Sequence, residues 1–248
     1  MLDKWLDNFI NRNISVFITA SKAAGKQMID LRKFSASKHV NIPNTISKAG
    51  EAKINLINGC LKKEFHIDNN KIILGAVGLL THRKGFHVLI EAVSLLKKEN
   101  ATAYKLIIFG EGEQRSLLEV MIKEYELQGI VILAGYRNDI LPYMKDFDVV
   151  ICPSIAHEDF PYVILEAMLL GKPVIGTNIA GIPEQVTEGY NGFVVPAGDA
   201  NKLSKKIETF LQKPELIKMM GENGFSRYLE NFNNSNIMQR YNQLFQSL

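Results

Sequence analysis

From residue 71 onward the sequence alternates short apolar runs with segments of helical spacing, and this alternation constrains the fold more than any other feature. The apolar runs are nearly continuous, which is typical of strands covered on both faces. The predicted strands are residues 72–77, 104–109, 130–133, 149–151, 174–176 and 193–195. The predicted helices between them are residues 86–98, 114–127, 139–145, 161–170 and 183–187.

This pattern predicts an α/β fold in which helices cover both faces of a doubly wound, Rossmann-like parallel sheet. Ligands of such sheets bind beyond the carboxyl ends of the strands. Gly78, Gly110 and Gly135 each follow a predicted strand, and so does the segment 154–158. We therefore expect these positions to share one edge of the sheet and to form the functional site.

The chain on either side of this pattern is organised differently. Helices are predicted at residues 200–211, 214–227 and 235–245. Before residue 71 the pattern predicts a helix at residues 22–31 between two short strands, 14–19 and 40–43, and two strands are too few for an independent sheet. We therefore expect three parts, a remnant of a second Rossmann-like domain with its linker, a main domain, and a C-terminal helix that returns toward the N-terminal segment. Their predicted ranges are 1–45, 46–230 and 231–248.

An apolar stripe at helical spacing opens the chain. It consists of Leu2, Trp5, Leu6, Phe9 and Ile10. Packing on the remnant domain is the expected use of this stripe, and docking of a missing partner is the second. Contact with a membrane is the third, since Asp3 and Asp7 offset Lys4 and Arg12 and so weaken attraction to anionic lipid.

Composition narrows the functional classes. A net charge of +3 over 248 residues gives no support for nucleic-acid binding. The two cysteines form no disulfide framework, no apolar run reaches the length of a membrane span, and the N-terminus lacks a signal-peptide core. These features predict a cytoplasmic protein, with peripheral association at the inner membrane face left open.

The segment 157–175 carries the clearest chemical signal. Glu158 lies before a predicted helix and Glu166 within it, eight positions later. Pro161 suits the first helical turn, and Gly171 suits the left-handed cap that ends the helix. The free N–H groups at the helix start favour a phosphate, while Glu166 can accept hydrogen bonds from two neighbouring hydroxyls, as on a ribose. Phosphate beside a diol predicts a nucleotide ligand.

With these residues in this order, the chain resembles the C-terminal, donor-binding half of retaining GT-B-fold glycosyltransferases of family 4. The resemblance is strongest where the Glu158–Glu166 pair is followed by Ala167-Met168, Gly171 and Pro173. Supporting motifs are Gly78 with Lys84-Gly85-Phe86, Gly110-Glu111-Gly112, Pro153-Ser154, Gly181-Ile182-Pro183-Glu184 and Gly189-Tyr190-Asn191-Gly192.

The resemblance implies transfer of a sugar from a nucleoside diphosphate sugar, such as a UDP- or GDP-sugar, to a glycan or lipid-linked acceptor, with retention of the anomeric configuration. Bacterial surface-polysaccharide synthesis is the expected setting. The resemblance also implies that protein cations and helix dipoles stabilise the leaving diphosphate, so we expect neither a metal nor another cofactor.

The same resemblance implies roles for individual residues. Lys84 would contact the diphosphate, Glu158 would lie near the donor sugar, and Glu166 would hold the ribose hydroxyls. Lys84 and Glu158 are the predicted catalytic residues. The remaining predicted donor-binding residues are Gly78, Arg83, Tyr136, Arg137, Phe160, Pro161 and Tyr162.

The family commonly has Arg after the glycine at Gly78, where this chain has Leu79, and we expect Arg83 to supply that second cation. Glu184 has two open roles, capping its own short helix or touching the donor sugar. The five histidines show no metal-ligand spacing and are predicted to be non-catalytic.

Two-domain members of the family place the acceptor site and a catalytic histidine in an N-terminal domain that this chain lacks. We therefore expect either a separate chain that supplies this half or a truncated sequence, and we expect donor binding with poor transfer. The alternative function is a catalytically silent module that binds a nucleotide sugar or docks a partner. A GT-B epimerase is a third class, which the Glu158–Glu166 motif disfavours.

Overall fold

The computed structural model describes residues 2–54, 56–96 and 103–248, with side chains from Trp5 onward. Its strands are β1 (Phe17–Thr19), β2 (His39–Asn41), β3 (Ile72–Val77), β4 (Tyr104–Phe109), β5 (Val131–Gly135), β6 (Val149–Cys152), β7 (Val174–Thr177) and β8 (Gly192–Val195). Its helices are α1 (Leu2–Asn13), α2 (Lys22–Arg32), α3 (Lys48–Ile54), α4 (Leu61–Glu64), α5 (Phe86–Ser94), α6 (Arg115–Glu124), α7 (Leu141–Met144), α8 (Tyr162–Leu169), α9 (Ile182–Gln185), α10 (Ala200–Gln212), α11 (Glu215–Asn231) and α12 (Asn234–Gln246).

Six strands form one parallel sheet in the order β5-β4-β3-β6-β7-β8. From β3 the chain first moves outward to β4 and β5, and then returns to the other side of β3 with β6. The strand order therefore reverses between β3 and β6, which makes that gap the topological switch point where such sheets bind ligands. The predicted doubly wound α/β fold is confirmed.

Each face of this sheet is covered by its own apolar cluster. Leu74 and Leu106 face one cluster, together with residues of α5 and α10, whereas Ile73 and Ile107 face the other, together with residues of α8. All four side chains are fully buried. Successive residues of a strand point to opposite faces, so an apolar run without polar interruption is what a sheet buried on both sides requires.

Helix ends agree with the sequence where local capping signals exist. α8 begins at Tyr162 with Pro161 as its N-cap, and Gly171 adopts the left-handed conformation with a φ of 65°. The Gly171 and Lys172 N–H groups donate to the carbonyls of Met168 and Ala167, which is the paired bonding of a Schellman cap. By contrast, the short helices α3 and α4 are absent from the prediction, and residues 97 and 98 of the predicted 86–98 helix lie outside the described residues.

The N-terminal segment forms a small parallel pair, β1 with β2. The expectation that the apolar stripe packs on this segment is wrong, because Trp5 is 66% exposed and Phe9 is 55% exposed. Asp7 points inward instead, is 8% exposed, and forms an ion pair of 2.7 Å with Arg32 of α2. The polar edge of α1 therefore docks on the segment, while its apolar edge faces outward. The side chain of Leu2 lies outside the described residues.

Both ends of the chain contact the rest of the protein. Glu184 accepts hydrogen bonds of 3.0 Å from the N–H groups of both Lys22 and Ala23, so it caps α2 rather than its own helix. At the other end, Arg240 in α12 donates to the carbonyl of Asn41 at 2.6 Å. The predicted domain boundaries themselves stay a prediction. Among the described residues, no helix combines the length and apolarity needed to cross a bilayer.

Candidate functional site

A cavity of about 690 Å³ lies at the switch point, beyond the carboxyl ends of β3, β4, β5 and β6. It is bounded by the loops that follow these strands and by the first turns of α8. The cavity contains every predicted site residue except Arg83. Those that line it are Gly78, Lys84, Tyr136, Arg137, Glu158, Phe160, Pro161, Tyr162 and Glu166.

A tight turn places Lys84 at this edge. Residues His82–Lys84 form a single 3₁₀ turn, and Gly85 follows with a φ of 69°. A Cβ at Gly85 would lie 2.1 Å from the carbonyl oxygen of Pro153, so a side chain at this position would collide with the backbone after β6. The glycine therefore lets the start of α5 approach the end of β6, where Glu158 lies.

Lys84 and Glu158 form the charged centre of the cavity. The Lys84 Nζ lies 2.5 Å from Glu158 Oε2, and Ser154 Oγ donates to the same oxygen at 2.9 Å. Arg83 Nη1 is 3.8 Å from that oxygen, and Glu158 is only 8% exposed. Two cations thus lie beside the Glu158 carboxylate, while Asp159 and Glu166 add further carboxylates to the cavity lining. An anionic ligand is therefore favoured by direct contact with Lys84 rather than by a surplus of positive charge.

Arg83 supports the charged centre from outside the cavity. Its Nη1 also donates to the carbonyl of His157 at 3.0 Å. His157 has a φ of 48°, a left-handed conformation that is uncommon for a residue with a side chain. In the structure Arg83 therefore holds the backbone of the loop between β6 and α8, and its role as a second cation for the ligand stays a prediction.

The start of α8 borders the charged centre. Two neighbouring carbonyls are already occupied, since Asn44 Nδ2 donates to the Phe160 carbonyl at 3.0 Å and Gln185 Nε2 donates to the Pro161 carbonyl at 3.1 Å. The N–H groups of Tyr162 and Val163 belong to the first helical turn and have no intrahelical acceptor. The helix start therefore presents donors and partial positive charge to the cavity.

Asn44 and Gln185 are site-building residues that the sequence does not reveal. Each lies far along the chain from the carbonyl that it holds, and neither occurs in a spacing that predicts this contact. Only the tertiary fold brings them to the β6–α8 loop.

Glu166 lies along α8, about one helical turn beyond its start, and lines the same cavity. Burial raises the pKa of its carboxyl group. Within the described part of the chain its carboxylate has no hydrogen-bond partner, so both oxygens are available to hydroxyls of a ligand. Lys84 and Glu166 therefore face one shared space.

The opposite end of the cavity is largely apolar and is bounded by Phe109, Ile140 and the Gly135-Tyr136-Arg137 loop. Arg137 is not a free cation, because its Nη2 donates to Glu64 Oε1 at 2.7 Å. Hydrogen bonds from Tyr143 and Arg137 lower the pKa of Glu64, so this carboxyl stays ionised. Glu64 is a further residue that the sequence does not reveal.

Other reactive groups near the site have limited roles. Burial, with the Glu158 charge adding to it, raises the pKa of the Cys152 thiol to about 11, so Cys152 is a neutral packing residue. Across residues 2–54, 56–96 and 103–248, no group of three or more His, Cys, Asp or Glu side chains is placed to hold a metal ion.

Comparisons with known proteins converge on one class of enzyme. A family model described as "Glycosyl transferases group 1" matches residues 60–227. The colanic acid biosynthesis glycosyltransferase WcaL of Escherichia coli K12 is 35% identical over 144 residues, which cover 55% of this chain and 35% of WcaL. The lipopolysaccharide core biosynthesis glycosyltransferase LpsE of Rhizobium meliloti is 32% identical over 175 residues, which cover 71% of this chain and 50% of LpsE.

Solved structures agree with these relatives. The crystal structure of Anabaena Alr3699/HepE in complex with UDP-glucose matches with a TM-score of 0.87 and 28% identity, and the match covers 99% of this chain and 67% of HepE. The chain thus spans half or less of the length of these two curated relatives.

Proposed function

The chain belongs to the group 1 glycosyl transferases, and from that premise we propose that its cavity binds a nucleoside diphosphate sugar for transfer with retention of configuration. One observation carries the proposal. Lys84, Glu158, the start of α8 and Glu166 line a single cavity at the switch point of the sheet. The Lys84 ammonium group, the free helix N–H groups and an unpaired carboxylate match a diphosphate beside a ribose.

In this proposal the diphosphate contacts Lys84 and the N–H groups of Tyr162 and Val163. Glu166 accepts hydrogen bonds from the ribose hydroxyls. The base occupies the apolar end of the cavity, between Ile140 and the Tyr136 loop. The UDP-glucose bound to HepE supports this class of ligand, because the similarity to HepE extends over 99% of this chain.

Lys84 and Glu158 are the proposed catalytic residues. As the bond between the sugar and the diphosphate breaks, the departing diphosphate gains negative charge, which Lys84 and the α8 dipole are already oriented to stabilise. Glu158 Oε2 is engaged by Lys84 and Ser154, whereas Oε1 has no hydrogen-bond partner in the described residues. We assign Oε1 to a hydroxyl of the donor sugar. Protein cations supply the charge stabilisation in this scheme, without a metal ion.

The names of WcaL and LpsE place those relatives in the synthesis of bacterial surface polysaccharides. We propose the same setting for this chain, with a glycan or lipid-linked acceptor at the inner face of the membrane. In this proposal the acceptor-binding half of the enzyme lies outside this sequence. It would belong either to the same protein or to a separate chain.

Titration calorimetry with UDP and GDP tests the proposal directly. We expect one of the two nucleotides to bind, and we expect slow hydrolysis of the corresponding sugar nucleotide to release a sugar whose initial anomeric configuration, read by NMR, matches the donor. Binding without hydrolysis would favour the catalytically silent module. No binding of either nucleotide would refute the proposed function.

A further inference from the structure

A closed triangle of side chains lies behind the apolar end of the cavity. Arg137 Nη2 donates to Glu64 Oε1 at 2.7 Å, Tyr143 OH donates to Glu64 Oε2 at 2.8 Å, and Arg137 Nε donates to Tyr143 OH at 3.1 Å. The guanidinium also lies 5.2 Å from the Tyr143 ring centroid and 5.6 Å from that of Phe109. Each member of the triangle contacts the other two, so Arg137 is fixed in position on several sides.

The fixed guanidinium acts on its own loop. Arg137 Nη1 donates to the carbonyl of Ala134 at 2.8 Å and to that of Tyr136 at 3.1 Å. These bonds tie the carbonyl groups of Ala134 and Tyr136, the residues on either side of Gly135, to the side-chain triangle. The N–H groups of Tyr136 and Arg137 have no acceptor among the described residues. The loop therefore presents backbone donors in a fixed arrangement, while its own carbonyls are engaged.

The side-chain triangle should contribute little to the stability of the fold. Glu64 is 40% exposed in its side chain, and an ion pair at that degree of exposure contributes little to folding. The carboxylate also comes from α4, which is only four residues long and lies 73 positions before Arg137. The contacts of the triangle instead hold Arg137 and the loop that carries it in one conformation. A wall that is already ordered loses less conformational entropy when a ligand binds against it.

We propose that Glu64 is a positioning residue that, through Arg137, sets the part of nucleotide binding that depends on the base. The inference rests on the proposed function, and it deepens that function by naming what orients the base-contacting loop. The free N–H groups suit a base with carbonyl oxygens on its edge, such as uracil or guanine. Tyr143 belongs to the same unit, because it donates to Glu64 and accepts from Arg137.

The test compares a ligand that has a base with one that lacks it. UDP, or GDP if the wild-type protein prefers it, and inorganic pyrophosphate are titrated into the wild-type protein, Glu64→Ala and Tyr143→Phe. For the nucleotide we expect the affinity to fall about tenfold in Glu64→Ala and about threefold in Tyr143→Phe, which keeps the ring over the guanidinium. Pyrophosphate affinity should stay unchanged, because Lys84 and the start of α8 are untouched.

Glu222→Ala is the matched control. Like Glu64, Glu222 is an exposed glutamate on a helix and forms an ion pair, in its case with Lys218. It should leave both affinities as in the wild type. Equal losses for the nucleotide and pyrophosphate, or no loss for the nucleotide, would overturn the positioning role while leaving the proposed function standing. Failure of the wild-type protein to bind either nucleotide would overturn both.

Discussion

The two ends of the cavity handle charge in opposite ways. At the charged centre, Lys84 and Arg83 lie beside the Glu158 carboxylate, Asp159 and Glu166 line the cavity close by, and the start of α8 adds free N–H groups. At the β5 end, Arg137 is matched by Glu64 and faces aromatic rings, so no charge remains. From this difference we expect the charged centre to supply affinity for a diphosphate through direct contacts with Lys84 and the N–H groups of α8. We expect the apolar end to supply selectivity through the shape and backbone groups of its wall.

Replacing Lys84 should cause the largest loss of ligand affinity. In Lys84→Met the cation is lost while most of the side-chain length is kept. We expect affinity for UDP or GDP and for pyrophosphate to fall about 100-fold, as for removal of a buried charge-assisted contact. Calorimetric titration measures both losses. Equal affinities in wild type and variant would show that the charged end is not the diphosphate site.

The same substitution should also destabilise the fold, and a second variant separates the two effects. Lys84 and Glu158 are mostly buried, so the unpaired carboxylate should cost about 2 kcal/mol of unfolding free energy, less than for an isolated buried pair because Ser154 and Arg83 remain. In Lys84→Met with Glu158→Gln, denaturant melts should recover most of that stability. Ligand affinity should not recover, which would exclude unfolding as the cause of the loss.

Glu166 should give an intermediate effect that depends on the ribose. Glu166→Gln keeps the shape of the side chain but weakens its capacity to accept two hydroxyl hydrogen bonds, and we expect nucleotide affinity to fall about tenfold. Pyrophosphate has no hydroxyls, so its affinity should be unaffected. If both ligands lost affinity equally, Glu166 would contribute to diphosphate binding at the charged centre and not to binding of the ribose.

The pH dependence of binding gives a smaller and independent signal from the same residue. Burial raises the pKa of Glu166, and only its ionised form is a pure acceptor, so wild-type affinity should rise as pH increases through that raised pKa and then level off. The phosphates of the nucleotide titrate equally for both proteins. The ratio of wild-type to Glu166→Gln affinity therefore isolates the Glu166 contribution, and a ratio independent of pH would contradict it.

The free energy of unfolding should depend on pH in the opposite direction to ligand affinity. The raised pKa means that the folded protein holds the Glu166 proton more tightly than the unfolded chain does. The unfolding free energy of the wild type, relative to Glu166→Gln, should therefore decrease as pH rises from the ordinary pKa of glutamate through the raised one. Denaturant melts of both proteins across this range provide the measurement.

Sequence reasoning reaches the charged end of the cavity because its residues occupy short motifs attached to strand ends. Glu158, Glu166 and the caps of α8 lie within about one helix length, where local rules apply. The alternation of apolar runs and helical spacing likewise determines a parallel sheet, and strand ends of a parallel sheet meet at one edge. These two facts place the loops after the strands at one edge, whereas the expectation that Lys84 and Glu166 serve one ligand there comes from the family resemblance.

The remaining features depend on contacts between distant parts of the chain. Glu64 lies on a helix too short to show periodicity, so nothing local distinguishes it from a surface glutamate. The stripe on α1 has clear periodicity, yet periodicity identifies an apolar face without saying what covers it. Here the Asp7–Arg32 pair decides which face docks. Glu184 similarly caps α2, a helix more than 150 positions earlier, which its own neighbourhood does not indicate.

The smallest predicted effect concerns Tyr136, and it tests whether the β5 end contacts the base through an aromatic face. Tyr136 is 66% exposed, lines the cavity and makes no side-chain hydrogen bond within the described residues. An aromatic ring in this position can stack on a base, but its exposure limits the gain, so Tyr136→Ala should weaken UDP binding about threefold to fivefold. Tyr136→Phe should bind as the wild type does, since the ring and not the hydroxyl makes the contact. Pyrophosphate should distinguish none of the three proteins. A loss in Tyr136→Phe equal to that in Tyr136→Ala would assign the contact to the hydroxyl, and the wall would then select its base by polar contacts alone.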